Sequence, residues 1–312
     1  MKKLTFYTHG GYFHADEVTA FAILRLAGVC DDFVRLQSLD NIPQDGIIAD
    51  IGRDWNPEEN KFDHNQGLYR RATGLPGSEL DGVPLASAGM VWMHYGSRAV
   101  GMQITDSRFI TSTHEKIASR VDETLIQGID AHDADSEYKV SAACSAGKVR
   151  PLTISHVIAG MNGDDISNAD EQDARFRQAA NLMQSILENH IRQAAKHIEA
   201  VERFEDVASI DYDPNYEGQV IILSEQLPWK EIVHEQHEDT LFVIAPSNHP
   251  GSKFSMVAVP VEPDSREVKF QIHRPDWFKG FIHQGKWIAG GSSVEELRQL
   301  AWFNITLYNT AP

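Results

Sequence analysis

Near its start the chain passes from an apolar segment, Leu4-Thr5-Phe6-Tyr7, through Thr8-His9-Gly10-Gly11-Tyr12-Phe13-His14-Ala15-Asp16-Glu17 into a stretch, Val18 to Ala27, whose apolar residues recur at helical spacing. A strand joined to a helix by so short a turn predicts an open α/β sheet, and such sheets bind their ligands outside the carboxyl ends of the strands. Gly10 and Gly11 let the backbone bend tightly enough for His9, His14 and Asp16 to converge. Two imidazoles and two carboxylates on one turn read as half of a metal site. A plainer reading has Asp16 capping the helix, Glu17 favouring its dipole and the histidines as polar surface. Further clusters downstream favour the metal.

The chain of 312 residues is long enough for two domains. With 28 basic against 45 acidic residues its formal charge is −17. That argues against a broad basic surface gripping long nucleic acid. It leaves room for a short anionic substrate whose charge a bound metal offsets. The two cysteines, Cys30 and Cys144, stand in no CxxC spacing, which argues against a cysteine-ligated zinc or a disulfide scaffold. The amino terminus enters the turn too soon to hold a signal peptide's apolar core, and no apolar run is long enough to span a membrane. The expectation is a cytoplasmic protein with no membrane partner.

Along the first 160 residues or so, strands are predicted at Leu4 to Thr8, Phe33 to Ser38 and Gly46 to Gly52. Helices are predicted at Ala15 to Ala27, Leu85 to Tyr95 and Asp106 to Gln127. Asp170 to Phe204 holds no Gly or Pro and reads as one long connecting helix. Asp211-Tyr212-Asp213-Pro214-Asn215 reads as a joint. A second α/β pattern follows: strands Gln219 to Leu223, Thr240 to Ala245 and Phe254 to Val261, a short helix Trp229 to His234, and a final helix from Val294 to about Leu307. The expected organisation is residues 1–168, a connecting helix 169–210 and a smaller α/β domain 211–312.

Three more clusters carry chemistry. Asp50 ends the apolar run Gly46-Ile47-Ile48-Ala49, so it projects toward the same ligand face as the first turn. Asp63 and His64 set a hard oxygen beside an imidazole, which suits manganese, zinc or iron better than calcium. Asp130, His132, Asp133 and Asp135 form an acidic segment read as a loop after a helix. Two metals bridged by a carboxylate need about six to eight protein ligands from several loops. His9, His14, Asp16, Asp50, Asp63, His64 and one or both of Asp130 and Asp133 supply that number, the last two fitting almost equally well. Asp50 is the expected bridge. Toward the carboxyl end, Arg274 can clamp an anion, and Gly290-Gly291 ahead of the last helix can present bare amides to one. Trp229, Trp277, Trp287 and Trp302 fit either a core or a base-stacking role.

Taken together, these motifs resemble the DHH phosphoesterase superfamily. Within it, His9-x4-His14-x-Asp16-Glu17, Asp50-Ile51-Gly52, Pro57 and Phe62-Asp63-His64-Asn65-Gln66 are similar to the family of the melanocyte proliferating gene product, DHH-type metal-dependent exonucleases. The Trp287 to Ser293 segment resembles the glycine-pair motif of its carboxyl-terminal domain. The resemblance implies an N-terminal parallel-sheet catalytic domain and a smaller substrate-binding domain. It also implies two divalent ions, expected to be manganese with zinc, magnesium or iron as alternatives. Asp50, Asp63, His64 and Asn65 would be catalytic, and Asn65, Arg274, Gly290 and Gly291 would contact substrate. The implied partner is a short single-stranded nucleic acid or a small phosphorylated molecule, and a homo-oligomer is compatible. One departure stands out: Asn65 takes the place of the family's second histidine, keeping a hydrogen-bond donor and losing a positive charge. Alternatives are a metal-binding homologue with little turnover and a metal hydrolase of amides, the latter without an HExxH helix.

Overall fold

The computed structural model describes residues 3–64, 69–71, 82–105, 111–134, 152–212 and 219–310. The chain is mixed α/β and divides into two compact units, Met1–Ala195 and Lys196–Pro312. Among the described residues no helix is long and apolar enough to cross a membrane.

In the first unit β1 (Leu4–His9) is followed by α1 (Ala15–Leu26), β2 (Cys30–Leu36), β3 (Ile47–Ala49), β4 (Trp55–Asn56) and β5 (Lys61–Phe62). The sheet order is β2-β1-β3-β5-β4, parallel throughout except for the short edge strand β4. Helix α1 is buried on nearly every side, from Val18 to Leu24, as a helix apolar all round must be, and α2 (Ser87–Gln103) packs on it. Phe6 and Phe33 of the sheet and Phe21 of α1 join Phe176 of the long helix in one aromatic core, with ring centroids 4.7–5.9 Å apart. Each such pair adds to plain area burial.

Helix α3 (Thr111–Val121) runs through a π-helical turn, Asp122–Ile126, into α4 (Gln127–Ala134). The acidic segment expected to be a loop is therefore helical as far as Ala134, and Asp135 lies outside the described residues. A buried ionic knot fixes α4 to α2. Arg71 pairs with Asp122 and Asp130, both at 2.7 Å, and the Gly89 N–H donates to Asp130 at 2.9 Å. Burial pushes the Asp130 carboxyl up to about 7 against the pull of Arg71. After α5 (Ile154–Ala159), α6 (Ala169–Val207) runs 39 residues, about 58 Å at helical rise, and closely matches the helix predicted over Asp170 to Phe204.

The second unit holds β6 (Ala208–Tyr212), β7 (Gln219–Leu223), α7 (Lys230–Gln236), β8 (Thr240–Pro246), β9 (Phe254–Ala258), β10 (Phe281–Ile282), β11 (Ile288–Gly291) and α8 (Val294–Thr310). Its sheet order is β10-β11-β9-β8-β7-β6, with only β7 and β8 parallel. The two-residue period of a strand sorts the core onto two faces. Val220, Phe242 and Ile244 pack with Leu297, Leu300 and Ile305 of α8, whereas Ile221, Leu223 and Val243 pack with Phe204 of α6 and Ile232 of α7. Gly290 and Gly291 end β11 rather than opening the helix, and they pair with Ser255 and Phe254. The Asp211 end of the expected joint is part of β6, where its carboxylate accepts from Arg298 and from the Trp302 indole at 2.8 Å. Residues 213–215 lie outside the described residues.

A Cβ at Gly89 would sit 1.9 Å from Asp130 Oδ2 and 2.4 Å from Arg71 Nη2, whereas one at Gly128 meets nothing within 4 Å. We therefore expect Gly89→Ala to cost on the order of 3 kcal/mol by disrupting a buried ion pair. That corresponds to a melting temperature lower by about 6–12 °C. Gly128→Ala, also in a helix, should match or slightly exceed the parent in the same thermal melt.

Candidate metal centre

The turn after β1 is built by local chemistry. Gly11 adopts φ +76°, which glycine alone enters freely. His14 is the N-cap of α1, and its backbone N–H donates to Glu17 Oε1 at 2.8 Å, one half of a capping box. Asp16 and Glu17 thus lie in the first helical turn, where the dipole favours negative charge. Asn162 clamps the turn by accepting from the Phe13 N–H (2.9 Å) and donating to its carbonyl (2.8 Å). The buried Arg35 guanidinium lies 5.4 and 5.3 Å from the Phe13 and Phe176 ring centroids and donates to the Gly11 carbonyl. On the neighbouring strand, Asp50 follows β3 directly in the left-handed region, φ 59°. Such a backbone in a residue with a Cβ is uncommon and clusters at functional sites.

These turns bring seven side chains together. His9, His14, Glu17 and Asp50 form one group, His14, Asp16 and Asp133 a second, and Asp16, Asp50 and His64 a third, with the offered ligand atoms in each within 4.8 Å of one another. The two oxygens of Asp50 face different histidines: Oδ2 lies 3.0 Å from His9 Nε2 and Oδ1 lies 3.2 Å from His64 Nε2. His9 Nε2 also lies 3.4 Å from Glu17, and His64 Nε2 lies 3.5 Å from Asp133.

Like charges at this distance distort one another's ionisation. Burial first, then the Asp50 charge, pushes Asp16 up to about 6; burial, then the Asp16 and Asp50 charges, pushes Asp133 up to about 8 and Glu17 well above its ordinary value. Burial acts the same way on Asp50, but its hydrogen bonds to His64 and His9 win and bring it down to about 2. His64 is opposed by burial and raised to about 9 by Asp50, Asp16 and Asp133. His9 is likewise raised, mainly by its bond to Asp50 against the effect of burial.

The donor set fits divalent cations. Among the described residues, both oxygens of Asp16 and Oε2 of Glu17 are buried without a hydrogen-bond partner, a costly state that a cation would relieve. Hard carboxylates mixed with imidazoles suit manganese, zinc or iron.

Of the residues expected from sequence, His9, His14, Asp16, Asp50, His64 and Asp133 are brought together. Asp130 is not. It is one helical turn before Asp133 and is turned into the Arg71 knot, so Asp133 alone of the pair reaches the cluster. Asp63 also stands apart from these groups, accepting the Arg53 N–H at 2.6 Å and so shaping the turn after Asp50. Asn65 lies outside the described residues. Arg274, Gly290 and Gly291 belong to the second unit, where Arg274 is exposed and donates to the Phe278 carbonyl at 2.9 Å. Glu17 is the member of these groups absent from the ligand set expected from sequence. It stands among the two carboxylates of the turn and in the His-x4-His-x-Asp-Glu motif, but an acid in the first turn of a helix is ordinarily a capping or dipole residue.

The chain is similar to known proteins over nearly its whole length. It is 25% identical over 320 residues to the MYG1 exonuclease of Mus musculus, covering 94% of this chain and 83% of that one. It is 24% identical over 326 residues to MYG1 protein YER156C of Saccharomyces cerevisiae, covering 94% and 93%. A solved pGpG-specific phosphodiesterase, PggH from Vibrio cholerae, aligns over 99% of this chain and 100% of its own at 13% identity, with a TM-score of 0.31 too low to support an argument. The MYG1_exonuc model, described as Uncharacterised protein family (UPF0160), matches residues 5–303, and the chain belongs to that family.

Proposed function

We propose that the chain is a divalent-metal-dependent phosphoesterase of the DHH type that hydrolyses phosphodiester bonds of short oligonucleotides from one end. The observation that carries this reading is the placement of Asp50, whose two oxygens are shared between the His9 and His64 sides of one cluster. A carboxylate so shared is what a two-ion centre requires. In this reading His9, His14 and Glu17 would hold one ion, His64, Asp16 and Asp133 would hold a second, and Asp50 would serve both. Manganese is the proposed metal. When bound, the ions lower the pKa of water and offset charge on phosphoryl oxygens. The names of the mouse, rat and human relatives, each a MYG1 exonuclease, support a nucleolytic activity.

The protein's own groups do the positioning. Asn162 and Arg35 hold the His9 to His14 turn, and the Arg71 knot sets α4 so that Asp133 points into the cluster. Asn65 is proposed to donate a hydrogen bond to the substrate phosphate, and Arg274 to contact the substrate. In the second unit, a cleft of about 610 Å³ lined by Lys253, Lys279, Gly280, Gly290 and Gly291 is the proposed substrate surface. The Ser292 N–H there already donates to Glu296 at 2.8 Å, so the two lysines, rather than bare amides, supply its positive charge.

Two results test the reading. Metal analysis of the purified chain should find close to two ions per chain with manganese-dependent cleavage of a short single-stranded oligonucleotide. Asp50→Asn should lose at least one ion and lower cleavage by about 100-fold or more, beyond the 10–100-fold typical of residues supporting a ligand. Full metal loading with no cleavage would leave a metal-binding homologue instead. The second test is pH dependence. Asp16 at about 6, Asp133 at about 8 and His64 at about 9 hold protons that a cation must displace. Metal affinity should therefore rise between pH 5.5 and 8.5 in calorimetric titrations, with proton release. The same groups bind more protons folded than unfolded across this window, so metal-free stability should fall as pH rises, and saturating manganese should reverse that trend in thermal melts.

A further inference from the structure

On the second unit, away from the buried cores, four exposed rings stand in a row. His249 and Phe281 are parallel to within 4° with centroids 6.3 Å apart, Phe281 meets His283 edge-on at 6.4 Å, and His283 meets Trp287 at 5.1 Å. Phe281 is 52% exposed and Trp287 40% exposed, although both sit on or beside the edge hairpin β10–β11, where an uncovered apolar side chain invites aggregation. The two histidine rings are anchored: Nδ1 of His249 accepts the Gly251 N–H at 3.2 Å, and Nδ1 of His283 accepts the Gly285 N–H at 3.0 Å. Rings already fixed lose little freedom when a ligand covers them. Lys253 and Lys279 line the cleft that Phe281 also borders, and Lys286 forms the tip of the hairpin beside Trp287. The opposing acid at the cleft, Glu296, is bonded by both the N–H and the hydroxyl of Ser292 at 2.8 Å.

We propose that this ring row is a base-stacking platform for the unpaired nucleotides of a short oligonucleotide, with Lys253 and Lys279 meeting its phosphates. The inference rests on the phosphoesterase reading and specifies its substrate as one recognised through nucleobases as well as phosphate. Aromatic faces with flanking cations bind single strands with little sequence preference, since every base has a π-face. In a chain of net charge −17, stacking supplies affinity that electrostatics alone would not.

The test uses the full chain stripped of metal, so that nothing is cleaved, and fluorescence anisotropy of a labelled five-nucleotide single strand against an abasic strand of the same length and charge. The base-bearing strand should bind about tenfold or more tighter, within the range of one base stacked on one ring. Phe281→Ala should remove that preference, Phe281→Trp should retain it, and both should melt like the parent. The affinity should fall with salt at a log–log slope of about −2, two or three phosphates at single-strand spacing. Equal binding of the two strands, no binding of either, or a parent dimer that Phe281→Ala dissociates in sedimentation would overturn the platform. Manganese-dependent cleavage alongside equal binding would sink this inference alone. Base-selective binding by the stripped chain, with no cleavage once manganese is restored, would sink the phosphoesterase reading and leave the platform standing.

Discussion

Four carboxylates and three imidazoles packed within contact of one another cannot all keep their ordinary charges, and the first unit is organised around that conflict. Asp16 and Glu17 are fully buried at the start of α1, where the helix dipole is the nearest fixed compensation. Dipole, capping bond and two histidines on Asp50 each relieve part of the repulsion; the raised Asp16, Glu17 and Asp133 mark what is left. A divalent cation is the simplest species able to satisfy the remainder, and for that reason the empty-handed oxygens of Asp16 carry more information than any pocket.

Holding such a cluster demands rigidity behind it. The turn from His9 to His14 contributes little cohesion of its own, so it is fastened from outside by the Asn162 clamp and by Arg35, whose guanidinium rests against the edge-to-face pair Phe13 and Phe176. The buried Arg71–Asp130 pair performs the same service for α4. Such a pair is weak evidence for stability taken alone, because desolvation offsets attraction, but it specifies one orientation of the helix that bears Asp133.

Much of this was legible in the sequence because it lies in short-range patterns. The β1 turn, the long helix without Gly or Pro and strands β7, β8 and β9 of the second unit follow from spacing that survives in any context. The misses have physical causes. β4, β5 and β10 are two residues long and have no period to read, and β6 is mostly exposed, so it lacks an apolar run. Asp130 and Asp133 are indistinguishable in sequence because their difference is one of direction around a helix, and the charge of the segment masks its helical period. Arg71, 59 residues before Asp130 in the chain, decides between them only in three dimensions. Glu17 was passed over because helix chemistry already accounted for it, and its complete burial is what distinguishes it.

The backbone of Asp50 narrows the routes by which this centre can change. Its left-handed φ of 59° is comfortable for asparagine and glycine, neither of which carries a charge. The other residue that keeps the charge, glutamate, is not at home there and would carry its carboxylate a methylene further. No single substitution preserves both conformation and chemistry, so the centre has no gradual path through this position: a lineage either keeps the aspartate or gives up the shared carboxylate in one step.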